Sequence, residues 1–238
     1  MIRTFLIIAW MAIFSTAGFA GNTADRNIIG FSPDGAWFAF EEYGISDGSG
    51  APFTNIYVLN VDEDKWAKGT PVRINFGEKV APVSAARKAA MKKVNPILKK
   101  LGITEPGILL ASTPVTEITP NPRRIDFYRN KNLSSPGNKL SYVLKELDFP
   151  DNKTCKSFGI NEKGFSLALT KGGSPLTQVY KDKKVPASRR CPKEYAISDV
   201  IEFIPSSGPV RHVVLIHMFV LGFEGSDSRF LAVPVTLP

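Results

Sequence analysis

The spacing of apolar residues changes period along the chain, and each change marks an element. Residues 27–31 read as a short first strand and Pro33-Asp34-Gly35 as a tight turn. A second strand over 36–43 is led by Trp37-Phe38-Ala39-Phe40. The turn has a physical cause, since proline presets φ, aspartate bonds its own backbone two residues on, and glycine accepts positive φ. Bulky aromatic residues then suit a pleated, half-buried surface. Residues 44–52 are too rich in Gly and Ser for a regular element. Strands follow over 55–61 and 71–76, separated by the acidic turn Asp62-Glu63-Asp64-Lys65.

The period then lengthens. Residues 84–101 predict a helix, with Val83, Ala86, Ala90, Val94, Ile97, Leu98 and Leu101 spaced to make an apolar face, Ser84 as its cap and Gly102 as its stop; Pro96 kinks or divides it. Short strands are predicted over 108–111, 115–118 and 125–128, a longer alternating strand over 139–149, and a loop carrying Cys155 over 150–160. Residues 164–170 and 176–180 flank Gly172-Gly173-Ser174-Pro175 as a hairpin, and 181–192 form a basic loop. Residues 195–204 fit strand or helix, and the weight of Val200, Ile201, Phe203 and Ile204 favours strand. Residues 210–223 are apolar on both alternating faces, which predicts a strand buried on both sides. A last strand spans 230–235. The expected fold is mainly β, built of propeller-like meanders forming as many as four small blades, with one helical insertion at about 84–101; a β-sandwich is the alternative.

Within this pattern, Phe31 to Gly35, Trp37 to Phe40 and Asn55 to Leu59 resemble one repeat of a TolB-type β-propeller, a blade of about 40 residues. With Glu41-Glu42-Tyr43-Gly44 and Asp47-Gly48-Ser49-Gly50 added, the chain also resembles a family of predicted secreted bacterial proteins of no assigned function. That resemblance implies export and brings no catalytic residues with it.

Composition sets the compartment. Residues 1–20 carry Arg3 as their only charge, an apolar run over 5–14 and then small residues, the pattern of a signal peptide. The run is well short of the ~20 residues that span a bilayer, and no later stretch approaches that length. Residues 21–238 are therefore expected to be a single exported β-rich domain without a transmembrane segment. Cys155 and Cys191 are the only cysteines, and an oxidising compartment predicts their pairing. The formal charge of +8 favours an anionic or protein partner of the envelope, and export makes nucleic acid the weakest candidate. The helix is the most basic segment and includes Lys92 and Lys93.

Candidate chemistry is thin. Gly44-Ile45-Ser46-Asp47-Gly48 matches the bare pattern of a nucleophile elbow, which also needs a strand before it and a helix after it. Ser46 with Asp199 and His212 or His217 writes the chain order of a triad, giving a secreted hydrolase as the alternative function. The two histidines, five apart on a strand, face opposite sides and do not converge on one metal. Glu41 and Glu42 alternate likewise, so one is expected to point inward toward a basic residue. The turn Asp62-Glu63-Asp64 lacks the remaining ligands of a calcium loop. Phosphate-binding and dinucleotide-binding fingerprints are missing from the sequence, and no cofactor is expected. The leading expectation is a non-enzymatic periplasmic or secreted module whose contacts include Tyr43, Asp47, Phe53 and Trp66 on the first meander and Lys92 and Lys93 on the helix.

Overall fold

The turn at Pro33-Asp34-Gly35 forms as its residues require. Ser32 Oγ donates to Asp34 Oδ1 at 2.5 Å, the same oxygen accepts from Ala36 N at 3.0 Å, and Gly35 takes φ 70°. In this computed structural model the described residues are 21–77, 79, 81–114, 121–129, 138–222 and 225–237. The signal peptide at 1–20 and the strand expected at 115–118 lie outside them.

The turn joins β1 (Asp25–Phe31) to β2 (Trp37–Ile45), and β2 pairs with β3 (Pro52–Asn60). The two-residue β4 (Lys65–Trp66) and β5 (Val72–Asn75) share the other edge of β3 and complete the first sheet. After the helix α1 (Val83–Lys100) comes β6 (Ile108–Ser112), which crosses to the third sheet. The second sheet contains β7 (Arg124–Phe127), β8 (Leu140–Asp148), β9 (Lys163–Lys171) and β10 (Thr177–Lys181), with a short helix α2 (Lys153–Ser157) between β8 and β9. The third sheet has the order β13 (Ser226–Thr236), β12 (Arg211–Leu221), β11 (Pro192–Phe203), β6. All these pairs are antiparallel, and none of the three sheets closes on itself.

Three cores hold the sheets together. Val214 and Ile216 of β12 pack with Tyr142, Leu144, Phe165 and Leu167 of the second sheet. Their neighbours Val213 and Leu215 pack on the opposite side with Phe31, Phe38, Phe40 and Phe53 of the first. The strand is buried on both faces, as its unbroken apolar run predicts. On the far side of the first sheet, Ala39, Ile56 and Val58 meet Ala90, Val94 and Leu98 of α1.

The helix differs from expectation at its start. It begins at Val83 after Pro82, and no side chain caps it. Pro96 sits inside an unbroken helix on its exposed face. There the carbonyl four residues back, deprived of its donor, is open to water. A second departure is α2, where residues 150–160 read as loop. Asn152 Oδ1 caps this single turn by accepting from Thr154 N at 3.1 Å and Cys155 N at 3.3 Å, a segment too short to show a period. Cys155 of α2 is disulfide-bonded to Cys191, Cα atoms 5.4 Å apart, and so ties the second sheet to the entry of β11.

Candidate functional site

Alternation on β2 and β3 gives the first sheet one inner face. Phe38, Phe40 and Phe53 on that face are covered by the third sheet. Beyond Phe230 of β13 the same face turns polar, with Glu42, Asn55 and Tyr57, and with Arg73 of β5 directly across from Asn55. Glu42 is 1% exposed, yet among the described residues none of its hydrogen-bond partners is a cation. Its Oε1 accepts from Asn55 Nδ2 at 2.8 Å and the Tyr57 hydroxyl at 2.9 Å, and its Oε2 accepts from Phe230 N at 2.9 Å. Burial, reinforced by the Glu42 charge, pushes the Tyr57 hydroxyl well above its ordinary pKa, so it remains a donor.

Over this floor lies a cleft of about 130 Å³, walled by Trp66 and Arg73, by Ser188 to Arg190, and by Arg229 to Leu231 of β13. A neighbouring cavity of about 180 Å³ shares Trp66, Ser188, Arg189 and Leu231 with it and continues to Asp64, Tyr180 and Val233. Two of the four arginines are committed to the fold. Arg189 donates to Asp182 Oδ2 at 2.7 Å and to the Tyr180 hydroxyl at 2.8 Å. Arg229 donates to the Asn22 and Ser228 carbonyls and lies 4.6 Å from the Phe53 ring centroid. Arg73 and Arg190 are exposed, and their side chains have no hydrogen-bond or ion-pair partner among the described residues. Trp66 is 41% exposed and ends a file of rings running Phe203, Phe31, Phe38, Phe40, Tyr57, Trp66, with successive centroids 4.7 to 5.9 Å apart.

Of the contact residues named from the sequence, only Trp66 lines this cleft. Tyr43 lies under Arg87 of α1, 3.9 Å from ring centroid to guanidinium carbon, on the opposite face of the sheet. Phe53 is a core residue at 5% exposure. Asp47 is in the β2–β3 hairpin, its N–H bonded to Asn22 Oδ1 and its Oδ2 buried without a partner. Lys92 and Lys93 are exposed on α1. As expected of this pair, one carboxylate, Glu41, points inward toward a basic residue; Glu42 is buried as well, on the opposite face of β2. Glu41 pairs with Arg87 at 2.7 Å, whereas Glu42 is held by neutral donors.

The triad residues are not brought together. Ser46 is in the same hairpin, which leads into a strand and not a helix, and its backbone bonds Ala51 and Gly50. Asp199 is bonded by Arg26 and Ser198. His212 meets the Tyr142 hydroxyl at 2.9 Å and Glu202 at 3.1 Å, while His217 meets Ser228 Oγ at 3.3 Å. The histidines do face opposite sides of β12, one against Phe127 and Tyr142, the other against Phe230. Burial lowers both pKa values, that of His217 to about 4. Among the described residues no group of three or more His, Cys, Asp or Glu side chains gathers as a metal site.

Sequence reading missed Glu42, Arg73 and Arg190 as members of one site. The signal available was Asn55 on an otherwise apolar and aromatic face of β3, together with Arg189-Arg190 in the basic loop.

The family described as Predicted secreted protein (DUF2259) matches residues 39–236, from β2 to the last strand. The chain belongs to that family. The DUF2259 match takes in strands of all three sheets and every residue of the cleft, and its description agrees with a periplasmic or secreted location. No helix among the described residues of this DUF2259 protein is long and apolar enough to cross a membrane. No curated protein and no solved structure matches it.

Proposed function

We propose that this DUF2259 protein is a non-enzymatic binding module that captures a charged group of an envelope component in the cleft beside Trp66. The observation that carries this reading is the pair of unpartnered guanidinium groups, Arg73 and Arg190, in one concave site. Guanidinium groups bind oxyanions through paired, charge-assisted hydrogen bonds, and walls that exclude water strengthen such bonds. Arg189 and Arg229 are engaged by the fold and act as walls. The polar groups that hydrolysis would need, Asp199, His212 and His217, are bonded inside the cores, His217 through Nδ1. Lys92 and Lys93 of α1 add a field that steers an anionic envelope surface toward the protein. We read the three sheets as propeller-like meanders in preference to a sandwich. Trp66 of the first, Tyr180 of the second and Leu231 of the third meet at one cavity, the place where blades would converge.

Co-sedimentation of the exported protein with isolated cell envelope tests the binding role. Retention at low salt is expected for the wild type and is lost in the Arg73→Gln/Arg190→Gln double variant. Equal retention of both would remove the cleft from the function. Turnover in an ester, peptide or glycoside screen that disappears in Ser46→Ala would replace the binding role with the hydrolase alternative.

A further inference from the structure

The two compartments that share Trp66 carry opposite charge. The first offers Arg73 and Arg190. The second offers Asp64, whose carboxylate has no hydrogen-bond partner among the described residues, and the only arginine there, Arg189, is already tied to Asp182. A simple oxyanion satisfies only the first compartment, and a polyanion is repelled by the second.

Strand β13 runs along both. Arg229, Phe230 and Leu231 line the first compartment, and Leu231, Ala232 and Val233 the second. From 229 to 233 an extended chain covers ~13 Å, about the length of a short peptide. Because β13 is the outermost strand of its sheet, every second residue turns its N–H and C=O away from β12. The outward set is identified by its partners. Ser228 N donates to Asn22 O at 2.8 Å and Phe230 N donates to Glu42 Oε2 at 2.9 Å. Register against β12 is unbroken, so Ala232 is the next outward residue, and Pro234 after it has no N–H. Among the described residues that line the two compartments, Ala232 is thus the one position on this edge with both backbone groups outward and unpaired. Glu42 on one side and Pro234 on the other limit the open edge to a single residue pair, too short to recruit a partner protein's strand.

We infer that the cleft binds a short peptide with free termini, lying antiparallel to β13, its carboxylate at Arg73 and Arg190, its amino group at Asp64, and an inner residue paired with Ala232. Leu59, Tyr180 and Val233 supply an apolar wall for one side chain near the amino end. This rests on the binding role of the cleft and specifies its ligand class. Strand addition provides the backbone hydrogen bonds, and the charges at either end measure length and direction.

The test titrates the full exported protein with the tripeptide Ala-Leu-Ala by calorimetry, then with its N-acetylated and C-amidated forms, inorganic phosphate and galacturonate. Blocking either terminus is expected to weaken binding at least about tenfold. Arg190→Gln removes the penalty for the amide alone, and Asp64→Asn removes the penalty for the acetyl group alone. Asparagine tolerates the positive φ of 50° at position 64, so that variant keeps the turn. No detectable tripeptide binding, or equal affinity for free and blocked forms, overturns the peptide inference. Binding of phosphate or galacturonate in its place would overturn the ligand class while leaving the arginine cleft as a binding site. Envelope retention unchanged in the Arg73→Gln/Arg190→Gln variant removes the cleft itself.

Discussion

Asp199 is 1% exposed on β11, and the guanidinium of Arg26 is the cation that compensates it. Truncating Arg26 leaves a buried carboxylate with a hydroxyl as its remaining partner, a change that costs about 3–5 kcal/mol. Urea unfolding of Arg26→Leu should show that loss, and a change under 1 kcal/mol would mean that water reaches Asp199. His217 responds to acid. Burial holds it at about 4, well below the ordinary imidazole value near 6.5, so the unfolded chain takes up the proton first as pH falls. Its stabilising share is complete above about pH 6.5 and is lost progressively toward pH 4, by up to about 3 kcal/mol. Thermal melts across that range should drop for the wild type and flatten in part for His217→Gln. His212 is shifted in the same direction and adds to the loss. Which way the histidines face was legible from the sequence, because their odd spacing on a strand decides it. The exposure of Arg73 and the closure of Glu42 were not, because both depend on how far the third sheet reaches over the first.

For the elements, legibility followed length. The long strands and α1 repeat their pattern often enough to be read, whereas β4 has two residues and α2 five, neither of which is long enough to repeat its period. The sharpest success was β12, whose apolar residues on both faces require two packing partners. The helix tests its two faces separately. Leu98→Ala opens a cavity between α1 and the first sheet and is expected to cost about 2–5 kcal/mol in chemical denaturation. Reversing Lys92 and Lys93 to Glu leaves stability nearly unchanged, because both side chains are exposed. It should instead slow envelope capture in a salt-dependent way, seen as a reduced association rate in surface binding. A rate independent of salt and of these charges would remove steering from α1.

On the scale of the whole molecule, the mainly β character and the cysteine pair could be read from the chain, but the assembly could not. The last sheet in sequence is the one between the other two, and β6 reaches it from more than eighty residues upstream of β11. No local pattern encodes that order. The disulfide closes a separation of 36 residues, which on the loop-entropy account is worth about 4 kcal/mol. A Cys155→Ser/Cys191→Ser variant should melt correspondingly lower, and thiol counting on the denatured, unreduced wild type should find none free.

The position of β12 between two cores carries a consequence for the dynamics of the chain. Separating the first sheet from the third exposes one side of Val213 to Ile216, and separating the second exposes the other, so either opening breaks packing the rest relies on. In hydrogen–deuterium exchange the backbone amides of these residues should be the last to label, at a rate set by global unfolding. The termini of β1 and β10, at the outer edges of their sheets, should label first.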